Sequence, residues 1–459
     1  MSEWKKVKIG DFLKQYRNTI YVDDSQQYKQ VTISSKSGVK YRCSKIGKEI
    51  GRKRQFLIDL KTYPNTVIFT RQGLHEGSIG LAPQEVDGCI VTENMPMFSV
   101  DETIVDTFYL KYFLLSPAFS SLISILTPTG SAQKSIHERD LLPLEISLPD
   151  LQTQQKIVCE LAKKIEKVEL VKSEIESQKS YVKQLRQNIL QEAIEGKLTE
   201  EWRKENAVVK GNPDFDAEAL FEKIQEEKCH TDSELLRNSK KKEKSLPEIT
   251  EDEKLFEIPE GWKWVRLGEI TTLITDGKHG DSENQDNSGF YFLSAKDIQN
   301  EKLVYDYARQ ITEKDFYETH RRTNLKPGDI CIVNTGATVG KLAIAPDDKK
   351  TYSTTFQKSV AIVKLVKDYV YNKYIKYYLL NDVPRLMQKS WGSAINNLLL
   401  SDMRIELIPL PPLAEQKEIV KQVEKHLANV TELEKQITER ETLTKRLMQS
   451  IMKDAFREE

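Results

Sequence analysis

Sulfur, histidine and long apolar runs are all scarce in this sequence. Its 459 residues include five cysteines, Cys43, Cys89, Cys159, Cys229 and Cys331, with no C-x-x-C pair. That spacing excludes a disulfide framework or a zinc knuckle and leaves ordinary reduced thiols. The six histidines show no H-E-x-x-H spacing, so no metal site is expected. No stretch of eighteen apolar residues is available to cross a bilayer, and residues 1 to 20 lack the apolar core of a signal peptide. A soluble, cytoplasmic chain without a membrane partner is expected. An excess of either charge is missing too, with 69 Lys+Arg against 70 Asp+Glu. Such a balance averages over domains that can face different partners, and this length implies two to four of them.

What the chain does have is an internal repeat. Displaced by 262 residues, Gly130-Ser131-Ala132 meets Gly392-Ser393-Ala394, Leu148-Pro149 meets Leu410-Pro411, and Gln154 meets Gln416. Residues 130 to 195 share nineteen identities with 392 to 457 over 66 positions, where composition alone would give about four. Upstream the match continues with small shifts: Trp4, Val7 and Gly10 recur as Trp262, Val265 and Gly268, and Pro64 and Gly77 as Pro327 and Gly340. The fold class expected is α+β: two mixed α/β parts related by pseudo-twofold symmetry and separated by two long helices that form an antiparallel coiled coil. The segments are 1–150, 151–196, 197–261, 262–409 and 410–459. The middle of each globular part barely matches its partner, as in one scaffold carrying two different surfaces; drifting loops would look similar.

The helices are typed by period. Leu161, Val168, Ile175, Val182 and Ile189 recur every seven residues, with a second series through Ile157, Val171 and Leu185. The other copy repeats this as Val423, Val430, Ile437 and Ile451, with Ile419, Leu433 and Leu447. That is an a/d heptad seam, and an apolar stripe on so charged a helix needs a partner. At 1.5 Å per residue, Ile157 to Ile189 spans about 50 Å, or about 15 base pairs of duplex. Residues 197 to 261 read as a charged connector, helical in part, whose Lys240 to Lys244 run is solvated linker charge rather than a phosphate site.

Chemistry is hard to find. Gly336 to Lys341 resembles a phosphate loop but has three residues between its glycines and Leu342 after the lysine. Asn212-Pro213-Asp214-Phe215 lacks the second proline of an amino-methyltransferase motif. No catalytic residue is assigned. Charge distribution says more, since residues 31 to 80 carry ten basic residues and three acidic ones. Cations displace counterions from phosphates, while Gln, Asn and Arg pair with base edges, so this segment points to DNA. The candidate contacts in the first copy are Arg42, Lys45, Lys48, Arg52, Lys53, Arg54, Arg71, Gln72, Gln133 and Lys134. In the second they are Lys278, His279, Arg321, Arg322, Lys341, Gln357, Lys358, Asn396 and Asn397.

Pro259-Glu-Gly-Trp262-Lys-Trp264-Val265, the Thr335 to Lys341 turn, the Gly-Ser-Ala loops and the Leu-Pro-x-Leu-x-x-Gln entry to each long helix resemble, in order and duplication, the specificity subunit of type I DNA restriction-modification systems. The first copy departs from the pattern in lacking the Pro-Glu-Gly lead-in before Trp4. The resemblance implies two target recognition domains reading a bipartite asymmetric site in double-stranded DNA, held by a helical spacer. It further implies two methyltransferase subunits clasping the helices, and restriction/translocase subunits. It implies no catalysis and no cofactor in this chain, the partners using S-adenosylmethionine, and ATP with Mg for restriction. The recognition subunit of a type IIB-like or phage-exclusion system, or a protein-binding coiled-coil scaffold, is the alternative.

Overall fold

The central strand of each copy is apolar at successive positions because both of its faces are covered. Thr66–Phe69 is buried throughout. Val67 and Phe69 enter one core with Tyr109, Leu110 and Phe113, while Ile68 enters another with Val31, Ile33, Phe56 and Met97. Ile330–Val333 does the same, sending Ile330 and Ile332 to one cluster and Cys331 and Val333 to a second. The side-chain period of two distributes one continuous apolar run over two cores.

The computed structural model of the chain describes residues 4–35, 38–126, 135–236, 246–389 and 397–457. They fall into two compact units, Met1–Gln178 with Gln436–Glu459, and Lys179–Lys435. In the first, Lys5–Lys8 pairs antiparallel with Glu145–Leu148, closing the globular part at the foot of the first long helix, Leu151–Ile194. A four-stranded antiparallel sheet runs in the order Leu13–Tyr16, Met97–Val100, Thr66–Phe69, Ile79–Leu81. In the second unit Lys263–Arg266 pairs with Leu407–Leu410 before the second long helix, Leu413–Ala455. Its sheet repeats the order: Thr271–Asp276, Val360–Leu365, Ile330–Val333, Leu342–Ile344. The units differ in what is inserted. The first carries a five-stranded sheet that includes Gln27–Ser34 and Gly38–Ile46. The second carries a three-stranded sheet of Arg309–Gln310, Tyr291–Leu293 and Thr354–Phe356, with the helix Glu313–Thr323.

The repeated glutamines fasten each frame. Fully buried Gln154 donates to the carbonyls of Pro149 (2.8 Å) and Ile104 (3.2 Å) and accepts from the Asp106 amide (2.7 Å). Gln416 donates to Pro411 (3.0 Å) and accepts from the Tyr371 amide (2.8 Å). Both tie the first turn of a long helix to the loop before the helix Thr107–Leu114 or Asn372–Lys389.

Within each unit the long helices run antiparallel. In the first, Leu161 shares a core with Met452 and Phe456, and Arg440 donates to Gln178 at 2.9 Å. In the second, Leu190, Ala193 and Ile194 share a core with Ile419, Val420 and Val423. The two-row seam expected from the heptads needs correction. The row Leu161, Val168, Ile175, Val182 and Ile189 is buried, as are Val423, Val430, Ile437 and Ile419. Ile157 and Ile451 are half-buried. Val171, Leu185, Leu433 and Leu447 instead stand 40% to 53% exposed. Their row is interrupted by Lys164, Gln178, His426 and Arg440, and the Gln178–Arg440 rung keeps it at the wet edge.

Part of the connector is built into the second unit. Leu220 and Ile224 of the helix Ala217–Leu236 are fully buried beside Trp262 and Val265. Buried Glu415 accepts from the Thr199 hydroxyl (2.7 Å), the Arg203 guanidinium (2.6 Å) and the Trp262 indole (2.7 Å). The Lys240 to Lys244 run lies outside the described residues. No helix among the described residues is long and apolar enough to cross a membrane.

Gln154→Ala and Gln416→Ala should each leave buried backbone groups unpaired and cost about 2 to 3 kcal/mol. Denaturant midpoints of the purified variants measure this, and a loss below about 0.5 kcal/mol would remove the glutamines from the frame.

Candidate nucleic-acid interface

Beyond its central strand each unit pins the outgoing chain in the same way. Arg71 donates its backbone N–H to the carbonyl of Asn94 (3.0 Å) and accepts from the Ile136 amide (2.8 Å). Asn334 donates to Ser359 (3.0 Å) and accepts from Leu398 (2.7 Å). A glycine turn follows, closed by Thr70 N–H to Ser78 in one unit and Val333 N–H to Lys341 in the other. Gly77 and Gly340 sit there at φ 82° and 91°, which an L side chain rarely adopts. A Cβ on Gly340 would also fall 2.1 Å from Val383 Cγ1. The glycines that looked like a phosphate loop therefore make a tight turn between strands.

That pin brings together two motifs far apart in sequence, the glycine turn and the segment following Gly-Ser-Ala. Asn397 accepts from the Thr335 hydroxyl at 3.0 Å. Gln72 occupies the place of Thr335 and is exposed. Gln133, Lys134 and Asn396 lie outside the described residues.

Of the remaining candidates, some are free and others are committed to the fold. Arg42, Lys45 and Lys48 are exposed along the strand Gly38–Ile46 and the turn after it. Arg52 is exposed, with its carbonyl accepting from Gln55 (2.7 Å), and the Arg54 guanidinium lies 5.6 Å from the centre of the Phe56 ring. Lys53 is exposed too, but its ammonium pairs with Asp24 and donates to the Gly47 carbonyl (3.0 Å), tying one turn to another. Arg71 is a correction. Its guanidinium forks onto Glu138 (2.9 and 2.6 Å), both side chains are largely buried, and Gln15 donates to the same carboxylate.

In the second unit Lys278 bridges Asp315 and Glu318, each at 3.2 Å, and lies largely buried. His279 contacts Asp276 (2.9 Å), and Arg322 donates to the Asp276 carbonyl (2.8 Å) and contacts its carboxylate (3.2 Å). All three lie beside carboxylates, Lys278 largely buried and His279 and Arg322 exposed. Arg321, Lys341 and Lys358 are exposed. Gln357 and Lys358 flank Lys278 through the Lys358 N–H to Lys278 carbonyl bond (3.0 Å) and the Lys278–Gln357 bridge.

Sequence reading missed Gln15 and exposed Arg17, which with Arg71, Thr92 and Glu93 line a small depression beside the Arg71 pin. No local pattern marks them; only the pairing of Leu13–Tyr16 with Met97–Val100 brings them there. Among the described residues no group of three or more His, Cys, Asp or Glu could hold a metal ion.

The chain matches the family model of the type I restriction modification DNA specificity domain over residues 1–179 and 259–440. It is 24% identical over 347 residues to the type I restriction enzyme EcoBI specificity subunit of Escherichia coli, a match covering 75% of this chain. The chain spans 64% of that relative's length. It is 20% identical over 468 residues to a putative type I restriction enzyme MjaX specificity subunit of Methanocaldococcus jannaschii, covering 99% of this chain and 94% of that one. A solved structure bearing on complex assembly and conformational transition of the type I R-M system shares the fold, with a TM-score of 0.63 at 20% identity over 99% of this chain and 98% of that one.

The Arg71–Glu138 pair has a measurable signature. Burial opposes charge on Glu138, but Arg71 outweighs it and holds the carboxyl below its usual range. A pair with a depressed folded value stabilises fully above the unfolded value of about 4.3, and that contribution fades as pH falls below it. Arg71→Ala should cost about 2 kcal/mol at neutral pH, with the gap to the parent narrowing toward pH 3 in urea titrations. A gap independent of pH would deny the pair this role.

Proposed function

The chain belongs to the type I restriction modification DNA specificity family, and we propose that it acts as the DNA-recognition subunit of such a complex, reading a bipartite asymmetric site with one half-site per unit. The observation that carries this is the duplicated frame with unlike inserts: the same four-strand order and the same pinned turn appear twice, while the sheets grafted onto them differ. A duplicated frame presents two readers in equivalent settings, and unlike inserts let each read a different sequence.

Catalysis is assigned to other subunits. The chain holds no cofactor of its own; S-adenosylmethionine belongs to methyltransferase subunits, two per chain, and ATP with Mg to restriction/translocase subunits. The exposed apolar residues of the long helices support a protein partner there. Leu170, Val171, Leu443 and Leu447 are exposed in the first unit, and Tyr181, Leu185 and Leu433 in the second, apolar side chains that a protein partner could cover. A cytoplasmic setting accompanies this role. A scaffold binding protein alone is not favoured, since family membership points to DNA.

The gap between half-sites is proposed to follow the length of the long helices. One heptad inserted into each, about 10 Å of helix, should lengthen the gap by about three base pairs and leave both half-sites unchanged. Mapping adenine methylation in cells that co-express the chain with its methyltransferase subunits tests both statements. Absence of any bipartite motif would reject the function, and altered half-sites with an unaltered gap would reject the ruler.

A further inference from the structure

We infer that the bulged ribbon Gln27–Ser34 with Gly38–Ile46 is a major-groove reading element for the first unit's half-site, with Arg42 as its base-reading side chain. This rests on the DNA-recognition function proposed above and adds the element, the groove and the residue. Residues 27 to 48 contain six lysines and arginines and no acidic residue. Among the described residues, exposed Lys29, Lys40, Arg42, Lys45 and Lys48 make no ion pair, whereas Lys53, Arg71 and Lys278 are all committed to carboxylates. Five exposed cations unpaired among the described residues and no acidic residue thus share this one ribbon, although other exposed cations of the first unit, such as Lys5, Lys6, Arg17 and Lys61, lie outside it.

Its shape is suited to a groove. The end near Ile33 and Val39 is buried in the core, and the next sheet strand meets Gln27–Ser34 only at Gln30, opposite Ile90. Beyond that point Gln27 to Lys29 pair only with Ser44 to Ile46, a two-stranded ribbon in which Tyr28 packs on the small core of Val22, Ile50 and Ile90 while Gln27, Lys29, Lys45 and Ile46 are exposed. Two strands about 4.8 Å apart fit the roughly 12 Å major groove. The register slips between Gln30 and Val31: Gln30 faces Cys43 and Val31 faces Tyr41, so Arg42 is the extra residue of a β-bulge. A bulge releases its residue from the alternation of the strand and re-aims it. Of the ribbon's cations only arginine can fork onto guanine O6 and N7, and it stands at that place. The lysines flanking it suit the phosphates on either side.

A competing account exists in the same features. Gly38–Ile46 is an edge strand, and cations with a bulge are also how edges are kept from pairing with other chains. The two accounts part in the DNA. In the complete complex with methyltransferase subunits, Arg42→Ala should relax the first half-site at one base pair, with roughly tenfold to hundredfold loss of discrimination there and an unchanged second half-site. Arg42→Lys keeps the charge without the fork, so it should relax the same position while preserving the salt dependence of binding. Lys45→Ala with Lys48→Ala should weaken binding to all sequences and flatten the salt slope by about two. Unchanged half-sites in both Arg42 variants would overturn the inference, as would aggregation without any change in the sites methylated. A parent complex that shows no bipartite site would instead reject the function itself.

Discussion

Each unit depends on closing the two ends of its globular part against each other at the foot of a long helix. The strand pairs Lys5–Lys8 with Glu145–Leu148 and Lys263–Arg266 with Leu407–Leu410 perform the closure. A buried glutamine then locks it by satisfying backbone groups that the helix start and the neighbouring loop would otherwise leave unpaired. Because those groups sit in low dielectric, losing their partner costs more than the bond itself is worth. This explains why an amide at the helix entry is the same in both copies while the sheets beyond it are free to differ.

Freedom beyond the frame is where recognition can diverge. The central strands end in a turn pinned from both sides, by Asn94 and Ile136 in one unit and by Ser359 and Leu398 in the other. A rigid frame carrying variable inserts is the usual solution when one scaffold must meet different ligands. The inserts are cored against the far face of the frame sheet: Val31, Ile33, Val39 and Phe56 pack with Ile68 and Met97 in the first unit, and Leu293, Ile298, Leu325 and Phe356 with Cys331 and Val333 in the second.

Cations show how far composition can mislead. Ten basic residues between 31 and 80 looked alike in one dimension. Folding divided them, burying Arg71 against Glu138 and binding Lys53 to Asp24 while leaving Arg42, Lys45 and Lys48 open to solvent. A pair largely withdrawn from water must be matched to offset its desolvation, so Arg71 and its carboxylate are committed to each other. The heptads carry a similar lesson. Period alone identified the helices and their buried row, but the second row's fate turned on polar members such as Gln178 and Arg440, which meet each other rather than an apolar core.

Duplication, the α+β class, the long helices and the resemblance to a family were legible from residues in order, because identities at a constant offset and a seven-residue period are linear properties of a chain. Which cations stay free, where the turn is pinned and which residue is displaced into a bulge were decided by tertiary structure alone. Glu138 reaches Arg71 across 67 positions, Asn94 meets it across a strand end, and the register of Gln30 with Cys43 exists only once two strands have paired. Such contacts depend on distance in space, which local pattern does not encode.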